Sequence, residues 1–144
     1  MSIQEVRCKL VRESPTVATP DRIKGPGDVF RFVSDLLDGD PQENFIVIHL
    51  NTQHHPVSFE RVTRGIIDAS LIHPREVFRG AILASAAGII IAHNHPSGDP
   101  TPSAEDRHVT RQLTEAGEII GIPVLDHVVV GEGRYVSIIE EGTA

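Results

Sequence analysis

The apolar run Ala86-Ala87-Gly88-Ile89-Ile90-Ile91-Ala92, broken off by His93-Asn94-His95-Pro96, constrains the fold more than any other stretch of this chain. A short apolar run bounded by turn signals has the character of a buried strand. Beyond it Pro96, Gly98, Pro100 and Pro102 forbid regular structure until a new periodic segment opens at Ser103. From there Val109, Leu113, Ala116 and Ile120 recur at helical spacing, leaving Arg107, Arg111, Glu115 and Glu118 for a wetter face. The stretch thus predicts a strand, a bend, and a helix whose start can fold back over the strand's end.

Such a bend gathers polar side chains. Successive residues of a strand point to opposite faces, so His93 and His95 project together and Asn94 projects away. Ser103 has the character of an N-cap and Asp106 that of the third helical residue, an ordinary capping box that stabilises a helix without chemistry. Two histidines and an aspartate are also a nitrogen and oxygen ligand set that leaves the fourth position of a tetrahedral zinc open. Both readings stand on the pattern alone. Asn94 and Ser97 read as residues that shape the loop.

Elsewhere the chain shows neither repeats nor low-complexity tracts. Val6, Cys8 and Leu10 alternate through Glu5 to Glu13 and predict a first strand, followed by a turn-rich link from Ser14 to Gly27. This division gives 1–27 as an N-terminal strand and link, and 28–144 as a single compact domain. The link is the segment best placed for mobility or for docking along another subunit of a homo-oligomer. Asp28 can start a helix carrying Val29, Phe32, Val33, Leu36 and Leu37, stopped by Gly39 and Pro41. Strands follow at about Glu43 to Asn51 and Val57 to Gly65, joined by a turn containing His54 and His55, which read as solvent-facing and not as ligands. His49, within an apolar strand, reads as packed or partner-bonded. His73 precedes Pro74 and a helix over about Arg75 to Ser85, which it could cap. A further strand spans Pro123 to Val130, and a tight turn leads to another at Tyr135 to Ile139. Asp126 and His127 could support a ligating histidine, although structural satisfaction is the reading their context favours. Strands interleaved with helices, closing on an antiparallel hairpin, predict an α/β sandwich with a mixed sheet.

Composition narrows the function classes. At 144 residues one domain is the natural count, and Cys8, the sole cysteine, rules out an intrachain disulfide or a thiolate metal site and reads as a strand residue. No apolar run is long enough to cross a bilayer, and residues Met1 to Glu5 lack the form of a signal peptide, so a cytoplasmic location is expected. A net charge of −7 disfavours broad binding to phosphate backbones, though Arg61, Arg64, Arg75 and Arg79 could form a local basic patch.

The spacing His-x-His, seven residues, Ser, two residues, Asp resembles the signature of the JAMM (MPN-plus, JAB-domain) metalloproteases, and the string His93-Asn94-His95-Pro96-Ser97-Gly98 resembles the RadC family within them. His73-Pro74-Arg75-Glu76-Val77-Phe78 and Leu125-Asp126-His127-Val128-Val129-Val130-Gly131 extend the likeness, which covers roughly Asp28 to Gly142. The helix-hairpin-helix segment that many RadC proteins carry before this domain is not found in these residues, so the chain is expected to be a short RadC-like form or an excised catalytic domain. The resemblance implies a cytidine-deaminase-like JAB/MPN fold with one Zn2+ held by His93, His95 and Asp106. It also implies an upstream glutamate that hydrogen-bonds the water at the metal. Glu43, at the head of the strand Asn44-Phe45-Ile46-Val47-Ile48, is the candidate; Glu60 reads as an exposed strand residue and Glu76 as an acid in a helix's first turn. Ser103 would donate to the oxyanion. The implied activity is zinc-dependent hydrolysis of a peptide or isopeptide amide bond in a peptide or protein conjugate. A DNA-repair-associated role, or a JAB scaffold that holds metal without turnover, are the alternatives.

Overall fold

The computed structural model describes residues 1–13, 17–37, 39–65 and 72–141. Five strands form one mixed sheet in the order β2-β1-β3-β4-β5, with β1 at Asn44–Leu50, β2 at Pro56–Arg64, β3 at Gly88–Asn94, β4 at Val124–Val130 and β5 at Tyr135–Ser137. Only β3 and β4 run parallel; the other pairs are antiparallel. A parallel pair needs a crossover. The helix α3, Ala104–Ile120, supplies it, while α1, Pro26–Leu36, precedes the sheet, α2, Pro74–Leu83, joins β2 to β3, and α4, Ile138–Glu141, closes the described chain.

Each face of the sheet has its own apolar core, which explains why β1 and β3 read as unbroken hydrophobic runs and not as alternating ones: both are buried along their whole length. On one face Phe45, Val47, Ile89 and Ile91 meet Val77 and Phe78 of α2 and Val109 and Leu113 of α3. On the other, Ile46, Ile48, Ile90 and Val128 meet Val29, Phe32 and Val33 of α1, together with Ile23 from the preceding segment. The result is the expected α/β sandwich around a mixed sheet.

Local chemistry sets the helix ends. Pro26 occupies the first turn of α1, two residues ahead of the predicted start, where its fixed φ suits a helix and its missing N–H costs nothing. Asp28 lies in the same turn and accepts a hydrogen bond from the Lys24 N–H at 2.8 Å. His73 caps α2, its Nδ1 accepting from the Arg75 N–H at 3.1 Å. Gly121 ends α3 in the left-handed region at φ 87°, a conformation that suits glycine.

Two sequence expectations need correction. The strand expected at Glu5 to Glu13 is absent: those residues are exposed and pair with no edge of the sheet, Cys8 among them. Alternation alone does not make a strand without a neighbour to take its backbone hydrogen bonds. The strand expected to run from Tyr135 to Ile139 stops at Ser137, whose Oγ accepts from the Glu140 N–H at 3.2 Å and so turns the chain into α4. The link predicted over 14–27 lies partly outside the described residues. Among the described residues no helix is long and apolar enough to cross a membrane.

Candidate metal centre

His93 is the penultimate residue of β3 and His95 follows its end, so the pleat aims both imidazoles at the face covered by α3. His93 is buried and stands opposite Phe45 of β1; the two rings are stacked with centroids 6.1 Å apart. His95 is anchored by its backbone, whose N–H donates to the Val130 carbonyl at 2.8 Å, and by its Nδ1, 2.9 Å from the Asp99 carbonyl. After His95 the proline-rich loop folds tightly onto Gly131, just past the end of β4. A methyl group at Gly131 would collide with the Gly98 carbonyl, so only glycine permits this approach.

The first turn of α3 completes the group. Ser103 Oγ accepts from the Asp106 N–H at 3.0 Å, and Asp106 Oδ2 accepts from the Ser103 N–H at 2.8 Å. The capping box is therefore real. It also holds the Asp106 carboxylate against both histidines, with Oδ1 3.3 Å from His93 Nε2 and Oδ2 3.2 Å from His95 Nε2. The two Nε2 atoms are 3.1 Å apart. One ligand atom from each of the three residues lies within 4.8 Å of the other two, and donor atoms about 2.0–2.1 Å from a tetrahedral zinc are separated by roughly 3.3 Å. His93, His95 and Asp106 are accordingly a group that could hold a metal ion.

Electrostatics agree with that reading. Burial alone would raise the Asp106 pKa, but the hydrogen bonds from His93 and His95 outweigh it and hold the carboxyl well below its ordinary range. The same carboxylate raises the pKa of His95, chiefly through their hydrogen bond. An anion among imidazoles is satisfied by protonated histidine or by a shared cation, and nitrogen with carboxylate oxygen is a donor set that zinc accepts.

Beside the group lies an open cleft of about 350 Å³ lined by Glu43, Phe45, His95, Ser103, Glu105 and Asp106, among others. Glu43 directly precedes β1 and is half-buried. Its neighbours are fixed by Asn94, which faces away from the histidines as expected: Asn94 Oδ1 accepts from the Asn44 N–H at 2.7 Å, and its Nδ2 donates to the Gln42 carbonyl at 2.9 Å. The residue between the two histidines thus clamps the backbone on either side of Glu43.

Other candidates lie elsewhere. Glu60 is not simply solvent-facing: its Oε1 is buried close to Gly80 of α2, and burial raises its pKa, but it does not border the cleft. Glu76 pairs with Arg79 at 2.9 Å in the first turn of α2. His49 is packed, as expected, with Nδ1 2.7 Å from Ser58 Oγ. His54 and His55 sit in the β1–β2 turn, away from the metal group. Asp126 points to the opposite face, accepting from the Ser137 hydroxyl at 2.6 Å and the His127 N–H at 2.7 Å. His127 does reach the site, with Nε2 2.8 Å from His93 Nδ1 and Nδ1 2.6 Å from Thr110 Oγ1. Thr110 escaped sequence reasoning because a threonine within a helix carries no signal of its own. Its place four residues after Asp106, hence on the same helix face, is the only trace.

Comparison with known proteins adds the family. The sequence model of the RadC-like JAB domain matches residues 23–143. A UPF0758 protein of Symbiobacterium thermophilum is 53% identical over 117 residues, covering 81% of this chain and 50% of that protein. One from Methanosarcina mazei is 45% identical over 121 residues, 84% of this chain and 53% of its own length. One from Halalkalibacterium halodurans is 46% identical over 136 residues, 93% of this chain and 59% of its own length. The chain spans about half the length of the curated relatives it matches.

Proposed function

This chain belongs to the RadC-like JAB domain family, and on that premise we propose that it is a zinc-dependent hydrolase that cleaves a peptide or isopeptide amide bond. The observation that carries the proposal is the convergence of His93, His95 and Asp106, with one ligand atom from each within 4.8 Å of the others, beside a cleft that Glu43 and Ser103 also line. His93 and His95 through Nε2, with the Asp106 carboxylate, would hold the ion. Bound zinc supplies Lewis acidity and lowers the pKa of water towards about 7.

The remaining work falls to the protein. Glu43 takes the proton of the attacking water and delivers it to the leaving nitrogen, so one carboxylate serves as base and then as acid. Ser103 donates a hydrogen bond to the carbonyl oxygen as negative charge develops there, a role compatible with its cap because the Oγ lone pair serves the Asp106 N–H and the proton is left for substrate. Phe45 and Val109 give the cleft an apolar wall that keeps these charges poorly solvated. The charge balance favours a peptide over a phosphodiester: net charge is −7, and Arg64 and Arg79 already pair with Asp40 and Glu76.

The test is a screen of peptide and isopeptide libraries with zinc-loaded protein and Glu43→Gln beside it. Wild type is expected to bind one zinc per chain and hydrolyse an amide, while Glu43→Gln keeps zinc and loses about 10²-fold or more in turnover. Zinc binding without hydrolysis of any library member would leave a metal-holding scaffold instead. Strong DNA retention with a steep salt dependence would favour the nucleic-acid role.

A further inference from the structure

His127 is wholly buried in β4, beside Ile91 in the parallel pairing with β3. It lies in a continuous chain of polar contacts: His93 Nδ1 to His127 Nε2 at 2.8 Å, His127 Nδ1 to Thr110 Oγ1 at 2.6 Å, and Thr110 Oγ1 to the Asp106 carbonyl at 2.8 Å. The order of protons along this chain follows from its far end. A carbonyl oxygen has no proton, so the Thr110 hydroxyl donates its single proton there, as helical threonines commonly do to the carbonyl four residues back. Only a lone pair then faces His127, whose Nδ1 must carry the hydrogen. A buried imidazole without a facing carboxylate is neutral, so its Nε2 is bare and accepts from His93 Nδ1–H. With its Nδ1–H committed to His127, Nε2 is the His93 nitrogen left to bind an ion, beside Asp106 and His95.

We propose that His127 and Thr110 are positioning residues for the metal centre, fixing His93 as the tautomer and in the plane that present its Nε2 lone pair to the ion. The chain is also a closed circuit, because it ends on the backbone of the residue whose side chain meets His93 at the front. Strand β3 and helix α3 are tied both through the ligand atoms and behind them. Phe45 completes the mount, stacked on His93 and edge-on to His127 with centroids 5.8 Å apart. Histidine suits the middle position because it is neutral while offering a donor at one end and an acceptor at the other.

This inference rests on the zinc reading above, and the experiment separates the two. Nitrogen-15 imidazole spectra of the zinc-loaded protein are expected to show His93 and His127 both protonated at Nδ1. A proton on Nε2 of His127 would reverse the chain and overturn the proposal, while zinc binding itself stood. Failure of wild type to bind zinc would remove the ligand set and the proposal with it. Competitive zinc titration and cobalt(II) absorption give a second arm: His127→Leu and Thr110→Val are expected to weaken metal binding about 10- to 100-fold. His127→Gln, which keeps an acceptor and a donor, and Thr110→Ser are expected to recover most of that loss. Unchanged affinity and spectrum in folded His127→Leu would overturn the assignment, and the spectra of the unmutated protein decide it if that variant does not fold.

Discussion

Asp106 carries two duties on one side chain, and the two can be separated by a single atom. As the third residue of α3 it accepts from the Ser103 N–H, and as an anion it faces His93 and His95. Asp106→Asn retains an oxygen for the cap but not the charge. Its metal-free form is expected to stay folded, while its zinc affinity falls at least tenfold in competition with a chelator. A large loss of metal-free stability would mean that the carboxylate's charge, at the positive end of the helix, matters more than the cap. The resemblance between a capping box and a ligand site was legible in the sequence because both need an oxygen at the same place. Which reading applied was not, since the answer depends on how close α3 approaches the end of β3.

At the scale of elements, the junction of β1 with β3 decides where Glu43 stands. Asn94 bonds to residues on both sides of it, and the buried Asn44 adds bonds from its own Nδ2 to Asp40 at 3.2 Å and to Gln42 at 3.0 Å. Asn94→Ala is expected to cost about 1–3 kcal/mol, since it strands the buried Asn44 N–H. It is also expected to lower turnover while leaving zinc affinity near that of wild type, which hydrolysis and metal titration on one preparation would show. Equal turnover would mean that Glu43 is placed by β1 alone. The strand carrying the histidines and the helix carrying Asp106 could be placed from apolar periodicity and proline positions. The false first strand at Glu5 to Glu13 came from the same alternation rule, which sees side chains but not the neighbour a strand requires.

For the whole molecule, burying imidazoles without counter-charges makes stability sensitive to acid. Burial pushes the His49 pKa down to about 4, whereas the unfolded chain takes up a proton near 6.5. Its contribution is therefore full above about pH 6.5 and lost as the pH falls towards 4, amounting to about 3 kcal/mol. His127 acts in the same direction, its pKa held well below the usual value by burial and then by the charge of His93. His95 acts oppositely in the metal-free protein: its raised pKa gives a contribution present below the ordinary imidazole value and lost as the pH rises through the raised one. Urea midpoints of the metal-free protein are expected to fall between pH 6.5 and 4, with a shallower fall in His49→Gln; a parallel fall in that variant would assign the effect to other groups.

His93, His95 and Asp106 all lie within a span of fourteen residues. A loop that short closes at little entropic cost, so an unfolded chain can still chelate. Metal that binds the unfolded chain stabilises the native state by less than its native affinity alone would give. A metal bound at this centre would therefore be a weak guarantor of the fold. On the proposed function, removing the metal is expected to abolish hydrolysis and leave a folded protein behind.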